Sequence, residues 1–448
     1  MSATTVAAAW LDERIFQDTS LNAELFARLT VQQRELGLLH EARPTCPFLR
    51  PLLLGRAQYE RIAEAAQTLA EAFERLAAAA LQDDKLMQQL GLTEKEEQLA
   101  RIEPGYPRLC VTSRLDAFLA GEDFQFLEYN AESPAGLADQ KQLETLLFPL
   151  PHLREFLAQH KTWRPAPHER LLRALEETYR AWGGTVEKPN IAIVDWRGVA
   201  TESEFFVLRE QFERAGHAAT LADPHDLTFD GKHLYAGDFR IDIFYKRVII
   251  HEFLEKFDAT HPLSQAYAAG KVCMANSFRT KIAHKKAGLA ILSDERYARL
   301  FTPAQHERIR RHIPWTRRVQ AGRTVLAGEE NDLLTILRRE RERIVLKPND
   351  DYGGHGITIG WEATESEWDA ALENALRLDY VAQIRAPVEK QSVPFYDDAG
   401  RIHAEPMIID FDPFLFNNQV EGGLVRLSAS SLCNVSSGGG QTALLILE

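Results

Sequence analysis

Cysteine is scarce in this sequence, and its cysteines are never clustered. The four cysteines of the 448-residue chain, Cys46, Cys110, Cys273 and Cys433, lie far apart, and no CxxC pair occurs. A thiolate zinc site or a dithiol redox motif needs such pairs, so both are excluded. Isolated cysteines are typical of reduced, buried thiols, and they predict a cytoplasmic protein.

Long apolar runs and an excess of positive charge are also lacking. No apolar stretch approaches the ~20 residues that a membrane helix needs, and the amino terminus MSATTVAAAWLDERIF lacks the basic start of a signal peptide. We therefore expect no membrane partner. Lys and Arg total 52 against 65 Asp and Glu, a formal charge of −13. We expect no nucleic-acid partner either, because the phosphate backbone would be repelled.

Several well-known catalytic motifs are absent as well. Neither the GxxxxGK[ST] phosphate loop nor the GxGxxG dinucleotide fingerprint nor the GxSxG nucleophile elbow occurs. His251-Glu252 begins like the HExxH zinc-protease motif, but Glu255 stands where the second histidine belongs. These absences exclude the corresponding enzyme classes.

What is present is the composition of an ordinary globular protein, 45% hydrophobic and 26% charged. The length predicts two or three domains at ~100–200 residues each. Residues 1–100 are mainly helical in pattern, 101–150 carry strands, 151–271 alternate strands with helices, and 272–448 mix both. The fold class is therefore α/β and α+β, with parallel pairing in the third region and a largely antiparallel sheet in the fourth.

Hydrophobic periodicity predicts the elements on which this division rests. The run Arg56–Leu90 predicts a helix, and seven-, four- and three-residue spacings place one stripe on its core-facing side: Ile62, Leu69, Phe73 and Leu76. Strands are predicted at Leu109–Thr112, Phe124–Tyr129, Asn190–Asp195, Ile241–Tyr245, Arg343–Lys347, Tyr380–Ile384, Glu405–Phe411 and Ala443–Leu447.

The first candidate site is the stretch RLDAFLAGEDFQFLEYNAESPAG. Strand alternation places Arg114 beside Asp116, and Glu128 beside Asn130. If the two strands form a hairpin, Asp116, Glu128 and Asn130 converge as three oxygen donors, which suits Mg²⁺. A surface hairpin with solvated acids is the alternative.

The second candidate is the stretch RIVLKPNDDYGGHGI. An apolar strand delivers Lys347 to a loop that contains Gly353, Gly354 and Gly356. Glycines allow backbone N–H groups to approach phosphate oxygens closely, and the lysine adds a compact positive charge. A glycine-rich hairpin turn is the alternative.

Two further patterns carry positive charge. The predicted helix Lys281–Leu292 holds Lys285 and Lys286 in addition to its first residue, and a solvated basic face is the alternative. Near the carboxyl terminus, Arg426 lies in the run GGLVRL, ahead of NVSSGGGQ. An arginine can neutralise a phosphoryl group through two hydrogen bonds, and a structural ion pair is the alternative.

Taken together, these motifs resemble the ATP-grasp superfamily. The early position of EYN, ahead of LKPNDDYGGHGI, resembles its circularly permuted members, including glutathionylspermidine synthase and its bacterial relatives. The similar segments are Arg114–Pro134 and Gly422–Gly440, and the resemblance covers roughly residues 100–448. It implies a permuted ATP-grasp fold with a preceding Rossmann-like domain and an N-terminal helical segment.

The resemblance also implies metal and nucleotide contacts. Asp116, Glu128 and Asn130 would be Mg²⁺ ligands, and Glu389 would hold the ribose of ATP.

The phosphate and base contacts implied by the resemblance come from three elements. Lys347 and Lys286, or the neighbouring Lys285, would bind the phosphates. Gln383 and Ile384 would lie at the adenine hinge, and the lid loop would contain Gly353, Gly354 and Gly356.

The implied activity is that of an ATP-dependent carboxylate–amine ligase working through an acyl phosphate. Arg114 would contact the γ-phosphate or the substrate, and Arg426 would stabilise the transferring phosphoryl group. The substrates would be a small carboxylate and an amine of the amino-acid, peptide or polyamine class, with Asp195, Arg197 and Arg247 as candidate specificity residues. A small-molecule kinase and an inactive nucleotide-binding protein are the alternative functions.

Overall fold

The computed structural model describes residues 2–431, 433, 435 and 438–448. Asn434, Ser436 and Ser437 of the carboxyl-terminal motif lie outside the described residues. Among the described residues, no helix combines the length and apolar character needed to cross a membrane. Cys46, Cys110, Cys273 and Cys433 are buried, free thiols.

Helices and strands alternate along the described chain. The α-helices are Ala3–Gln17, Ala23–Glu35, Arg56–Ala80, Asp84–Leu90, Glu94–Ala100, Asp139–Leu147, Pro151–Gln159, Pro167–Ala181, Glu202–Arg214, Ile250–Lys256, Pro262–Ala268, Lys281–His284, Ala287–Leu292, Pro303–His312, Leu333–Arg339 and Glu365–Leu378. The strands are Leu39–His40, Arg43–Pro44, Leu52–Gly55, Thr112–Ala120, Asp123–Asn130, Thr162–Trp163, Ile191–Val194, Ala219–Ala222, Leu227–Phe229, Leu234–Ala236, Phe239–Ile241, Ile243–Lys246, Cys273–Ala275, Thr316–Arg318, Arg323–Leu326, Glu329–Asp332, Ile344–Pro348, Thr358–Ile359, Tyr380–Ile384, Lys390–Tyr396, Ile402–Phe416, Gln419–Ser428, Gly440–Gln441 and Leu444–Leu447.

An antiparallel sheet, here called the central sheet, joins distant parts of the chain. Its strands follow the order Gly440–Gln441, Gln419–Ser428, Ile402–Phe416, Thr112–Ala120 and Asp123–Asn130, and Lys390–Tyr396 also pairs with Ile402–Phe416. The last two strands in this order form a hairpin, here called the acidic hairpin, in which Asp116 is opposite Glu128 and Arg114 is opposite Asn130. Segments from residues 112–130 and 390–441 therefore contribute to one sheet.

The two faces of the central sheet are covered by different elements. The long helix Arg56–Ala80 packs on one face, where the Phe73 and Tyr129 rings lie 4.5 Å apart between centroids. The predicted stripe of this helix, Ile62, Leu69, Phe73 and Leu76, is buried there. On the other face, Phe414 and Leu424 share a core with Ile193 of the parallel sheet.

The parallel sheet has the order Cys273–Ala275, Ile243–Lys246, Ile191–Val194 and Ala219–Ala222. The strand predicted at Ile241–Tyr245 is wrong in one respect, because it is two strands that meet at Asp242. There the chain changes partners: the Asp242 N–H donates to the Asn190 carbonyl (3.1 Å), and the Asp242 carboxylate accepts from the Asn190 N–H (2.9 Å).

A second antiparallel sheet, here called the lysine sheet, carries Lys347. Its order is Thr316–Arg318, Tyr380–Ile384, Ile344–Pro348 and Thr358–Ile359. The helices Leu333–Arg339 and Glu365–Leu378 contribute to its core, which includes Leu346 and Trp368. The strand predicted at Tyr380–Ile384 has these bounds in the structure.

Two further predicted elements have different bounds in the structure. The strand expected at Leu109–Thr112 begins only at Thr112 and runs on to Ala120, since pairing with the central sheet starts there. The helix expected at Arg56–Leu90 ends at Ala80, and Asp83 caps a new one by accepting the Lys85 and Leu86 N–H groups.

The helix expected at Lys281–Leu292 is also interrupted, after His284. Lys285 has a non-helical ψ of 125°, and the Lys286 N–H donates to the carbonyl of Asn349 at 3.0 Å, outside the helix. This break sends the side chains of Lys285 and Lys286 to different partners.

Candidate functional site

The acidic hairpin and the lysine sheet face one cavity of about 360 Å³. Leu127 and Lys347, 220 positions apart in the chain, both line this cavity and are in contact, with the lysine Nζ 3.5 Å from the Leu127 carbonyl oxygen. Six of the residues predicted from the sequence line this cavity: Asp116, Glu128, Lys347, Gln383, Ile384 and Arg426.

A buried ionic network forms one side of the cavity. Nη2 of Arg426 lies 2.8 Å from Asp116, 2.6 Å from Asp410 and 2.8 Å from Asp412. Arg114 holds Asp116 through two hydrogen bonds, of 2.8 and 3.1 Å, on its other side. Asn130 donates to the same carboxylate at 2.8 Å. Arg114 and Asn130 thus stand behind Asp116.

Local strand geometry places each member of this network. Asp410 is directly paired with Arg426 and with Phe118 in the central sheet. A register shift between Asp116 and Ala117 frees the Ala117 N–H, which donates to Asp412 at 3.1 Å. The sequence analysis missed Asp410 and Asp412, although two acids at i and i+2 within the apolar run IIDFDPFLF are a signal of buried charge.

The pKa values of the carboxylates in this network are shifted in opposite directions. Burial would raise the pKa of Asp116, but Arg114 and Arg426 outweigh it and hold that pKa well below its usual range. For Asp410 and Asp412 burial prevails, and their pKa values are raised despite Arg426. Asp116 is therefore the acid held as an anion.

Glu128 has a separate partner across the cavity wall. Nζ of Lys286 lies 2.9 Å from its carboxylate and 2.6 Å from the Asp351 carbonyl oxygen at the base of the glycine-rich loop. Burial raises the pKa of Glu128, but Lys286 and Lys347 together outweigh it, so that the pKa falls below its usual value. Lys285 points elsewhere, 2.6 Å from Asp350.

Lys347 is buried at the centre of the lysine sheet. Its Nζ donates to Oε1 of Gln383 at 2.8 Å, and Gln383 donates in turn to the hydroxyl of Thr316 at 3.1 Å. Burial lowers the pKa of Lys347 to about 8, against the attraction of Glu128. An anion entering the cavity would favour the charged form of Lys347, which burial disfavours.

The remainder of the lining is largely apolar, with a polar rim. Trp361 carries the Arg385 guanidinium 4.6 Å from its ring centroid. Glu362 and Lys390 also line the cavity, and the apolar wall comprises Phe118, Leu127, Val345, Ile357, Ile359, Val388 and Ile408. The sequence carried no motif for Trp361 or Glu362, because their position depends on the fold around the loop.

Seven of the predicted residues do not line the cavity: Arg114, Asn130 and Lys286, whose partners are given above, the three loop glycines and Glu389. Gly353, Gly354 and Gly356 have φ values of 68°, 82° and 66°, and their loop reaches the helix Ile250–Lys256, where Tyr352 donates to Glu252 at 2.7 Å. Glu389 is exposed, and its carboxylate lies against Gly121 of the hairpin turn.

Asn276 fixes the acidic hairpin relative to the parallel sheet. This fully buried side chain follows the strand Cys273–Ala275 and accepts from the N–H groups of Val111 (2.6 Å) and Thr112 (3.1 Å). It donates to the carbonyls of Thr112 (2.6 Å), Ala131 (2.9 Å) and Glu132 (3.0 Å). One amide thereby clamps both ends of the hairpin.

A second buried cluster lies beyond the hairpin. Glu132, His284 and Asp350 offer ligand atoms within 4.8 Å of one another, but Nζ of Lys281 lies 2.7 Å from both carboxylates and 3.4 Å from Glu96. One ammonium thus pairs with both carboxylates, and the cluster forms an ionic lock within the fold.

The candidate specificity residues lie along the parallel sheet. Burial raises the pKa of Asp195 to about 6. Arg247 is buried and donates to the Pro134 carbonyl at 2.6 Å, whereas Arg197 is exposed and pairs with Asp226. Arg247 therefore holds the segment after the acidic hairpin, and Arg197 faces solvent.

No protein-family model matches this chain. An uncharacterized protein of Mycobacterium tuberculosis (strain H37Rv) is 26% identical over 353 residues, covering 72% of this chain and 58% of that protein. An uncharacterized protein of Mycobacterium leprae is 27% identical over 351 residues, covering 72% and 57%. The chain thus spans less than two thirds of the length of these curated relatives.

Among solved structures, the chain is similar to a glutathione synthetase-like effector from Globodera pallida in its apo form. The TM-score is 0.57 at 12% identity, covering 94% of this chain and 96% of the effector. A putative γ-glutamylcysteine synthetase from Methylobacillus flagellatus has a TM-score of 0.41 at 12% identity, covering 82% and 83%, which is too low to carry an argument. The first likeness confirms the expected mixed α/β fold, which this chain shares with the effector.

Proposed function

We propose that this protein is an ATP- and Mg²⁺-dependent ligase that joins a carboxylate to an amine. The observation that carries the proposal is the shared cavity: the acidic hairpin, Lys347 and Arg426 all line it. Charged groups and an apolar wall in one cleft suit a nucleotide, whose phosphates need cations and whose base needs apolar contact.

The proposed fold is a circularly permuted ATP-grasp. Its support is the sheet order, in which the early hairpin lies beside the late strand Ile402–Phe416. Chain order is thereby separated from spatial order, as the early EYN motif leads one to expect.

The metal site proposed is Asp116, Glu128 and Asn130, and the donor chemistry fits Mg²⁺. Asp116 and Glu128 are directly paired across the hairpin and line the cavity, and Asn130 touches Asp116. Carboxylate and amide oxygens are the ligands this hard cation prefers. When bound, the ion neutralises charge on phosphate oxygens.

The nucleotide contacts proposed are Lys286 and Lys347 for the phosphates and Gln383 with Ile384 for the adenine edge. Lys286 is preferred to Lys285, because its ammonium contacts Glu128. The glycine-rich loop would close over the phosphates. For the ribose, Glu362 is preferred to Glu389, because Glu362 lines the cavity.

In the proposed reaction, a carboxylate oxygen of the substrate attacks the γ-phosphorus of ATP, and the bond to the β–γ bridging oxygen breaks. The resulting acyl phosphate is attacked at carbon by the amine, and phosphate leaves as the amine loses a proton. The side chains act by positioning and charge neutralisation. Arg426, which lines the cavity, would face the transferring phosphoryl group, and Arg114 would hold Asp116 from behind.

The test is ADP release in the presence of mixtures of amino acids, short peptides and polyamines. Lys347→Ala and Glu128→Ala should each reduce the rate by at least ~10²-fold, whereas the exposed control variants Lys161→Ala and Glu71→Ala should retain it. Hydroxylamine should trap the acyl phosphate as a hydroxamate. A stable phosphoester would instead indicate a kinase, and no turnover with any mixture would indicate an inactive nucleotide-binding protein.

A further inference from the structure

A second, smaller cavity of about 150 Å³ lies apart from the main one. It is bounded by the strand Thr316–Arg318, the strand Arg323–Leu326 and the 3₁₀ helix Glu295–Leu300. The loop 320–322, which joins the two strands, also lines it. The lining is mostly polar, and its residues differ from those of the main cavity.

The lining of this cavity is strongly basic, although the whole chain carries a charge of −13. Its charged residues are Arg296, Arg317, Arg318, Arg323 and a single acid, Asp294. Two of the arginines have carboxylate partners elsewhere: Arg318 lies 2.5 Å from Asp379, and Arg323 lies 3.4 Å from Glu330. The remaining two share Asp294.

Arg317 is the least compensated of these cations. Its side chain is 9% exposed, and its hydrogen bonds go to neutral oxygens: the hydroxyls of Thr324 (2.7 Å) and Ser293 (3.3 Å) and the carbonyls of Thr316 (2.7 Å), Ser293 (3.2 Å) and Val325 (3.5 Å). Its guanidinium also lies 4.8 Å from the Trp315 ring centroid. Asp294, the acid it shares, is 3.8 Å away and accepts hydrogen bonds from Arg296 at 2.5 and 3.0 Å. Burial lowers the pKa of Arg317, so its charged form lacks full compensation.

We propose that this cavity is a binding site for a small oxyanion, phosphate or a short dicarboxylate, held by Arg317 from within and by Arg296 and Arg323 at the mouth. Three guanidinium groups from separate segments suit such an anion by their charge, and the two arginines at the mouth are largely exposed. The bound anion would supply the charge that a buried Arg317 needs.

The site is one strand away from the main cavity. Thr316 accepts a hydrogen bond from Gln383, which lines the main cavity, while the next residue, Arg317, lines the second one. The two sites can therefore be occupied at once, and the proposal does not depend on the function of the first.

The experiment is isothermal titration of the full chain with sodium phosphate and with sodium malonate, at constant ionic strength. Lys347→Ala serves as the background, so that phosphate binding in the main cavity does not contribute. We expect one anion bound per chain. In that background, the double variant Arg296→Gln/Arg323→Gln should bind at least about tenfold more weakly.

The matched control is Arg214→Gln/Arg401→Gln, which removes the same charge from exposed, paired arginines elsewhere. It should bind as the background protein does. Binding of one anion but not the other identifies the ligand as phosphate or dicarboxylate, and either result supports the site. The proposal is overturned if neither anion binds, or if the two double variants bind equally.

Discussion

A single nitrogen atom pairs with three carboxylates beside the main cavity. Nη2 of Arg426 contacts Asp116, Asp410 and Asp412, all of which are buried. Buried carboxylates are tolerated only when a cation and hydrogen bonds compensate them. Arg114 supplies the second cation, so that two arginines face three acids. Burial raises the pKa of Asp410 and of Asp412, and Arg426 offsets this only in part.

Lys347 gives a prediction about pH. Its pKa of about 8 means that the buried ammonium loses its proton as pH rises through that value. A bound phosphate raises this pKa, so binding above pH 8 requires uptake of a proton, and affinity should fall by up to about tenfold per pH unit. The measurement is the Kd of a fluorescent ATP analogue from pH 7 to 9.5, with divalent metal chelated.

Lys347→Arg is the control for this pH dependence. A guanidinium keeps its charge throughout this range, so the Kd of the variant should change little. Identical pH profiles for the two proteins would show that another group is responsible.

At the scale of elements, a helix interruption and a loop position several of the charged side chains at the site. The interruption after His284 directs Lys286 to Glu128 and Lys285 to Asp350. The glycine-rich loop begins at that same Asp350, which the buried Lys281 also holds. Ion pairs from Lys281 and Lys285 to Asp350 therefore join the segment around the helix Lys281–His284 to the start of the glycine-rich loop.

Gly356→Ala tests whether the loop conformation matters for nucleotide binding. At φ 66° a side chain costs roughly 1–2 kcal/mol, and a Cβ would lie 2.8 Å from Pro348 and 3.0 Å from Tyr380. The loop should shift, and ATP should bind about tenfold more weakly, as measured by titration. Gly237→Ala has the same kind of φ, 57°, with no atom within 4 Å, and it should bind ATP normally. Equal affinities would contradict a role for this loop.

Lys281→Met tests the ionic lock. The change leaves the buried Glu132 and the half-buried Asp350 without their shared cation, so the free energy of unfolding should fall by about 3–5 kcal/mol. Urea unfolding followed by tryptophan fluorescence measures this. Lys161→Met removes an exposed lysine paired with Glu448 and should cost no more than about 1 kcal/mol. A comparable loss in both variants would rule out the lock.

For the molecule as a whole, the chain ends close the structure. The last strand, Leu444–Leu447, pairs in parallel with Leu52–Gly55 and antiparallel with Thr162–Trp163. Its apolar side chains enter two separate cores: Leu444 joins the one under the central sheet, and Leu445 joins the one formed with the first helices. The carboxyl terminus thus fastens the N-terminal segment to the rest.

Leu445→Ala should destabilise the protein by about 2–5 kcal/mol, because the residue is fully buried and the change leaves a cavity. The midpoint of urea unfolding is the measurement. Leu378→Ala removes a leucine that is 62% exposed and should change stability by less than about 0.5 kcal/mol. If Leu445→Ala behaved like this control, the last strand would not fasten the segment.

Local patterns were enough to predict part of this architecture. The alternation of RLD and EYN predicts which side chains share a strand face, because side chains in a strand alternate with a period of two whatever the strand packs against. The stripe Ile62–Leu76 predicts a buried helix face for the same kind of reason. Asp410 and Asp412 were missed, although paired acids in an apolar strand are a signal of buried charge.

Only the tertiary structure decided which of these surfaces meet. The partner of Lys286, the exposure of Glu389 and the presence of Glu362 on the cavity wall all depend on contacts between segments far apart in the chain. Such contacts are fixed by packing and by the need to pair every buried charge, and these are properties of the whole molecule that no short window of sequence contains.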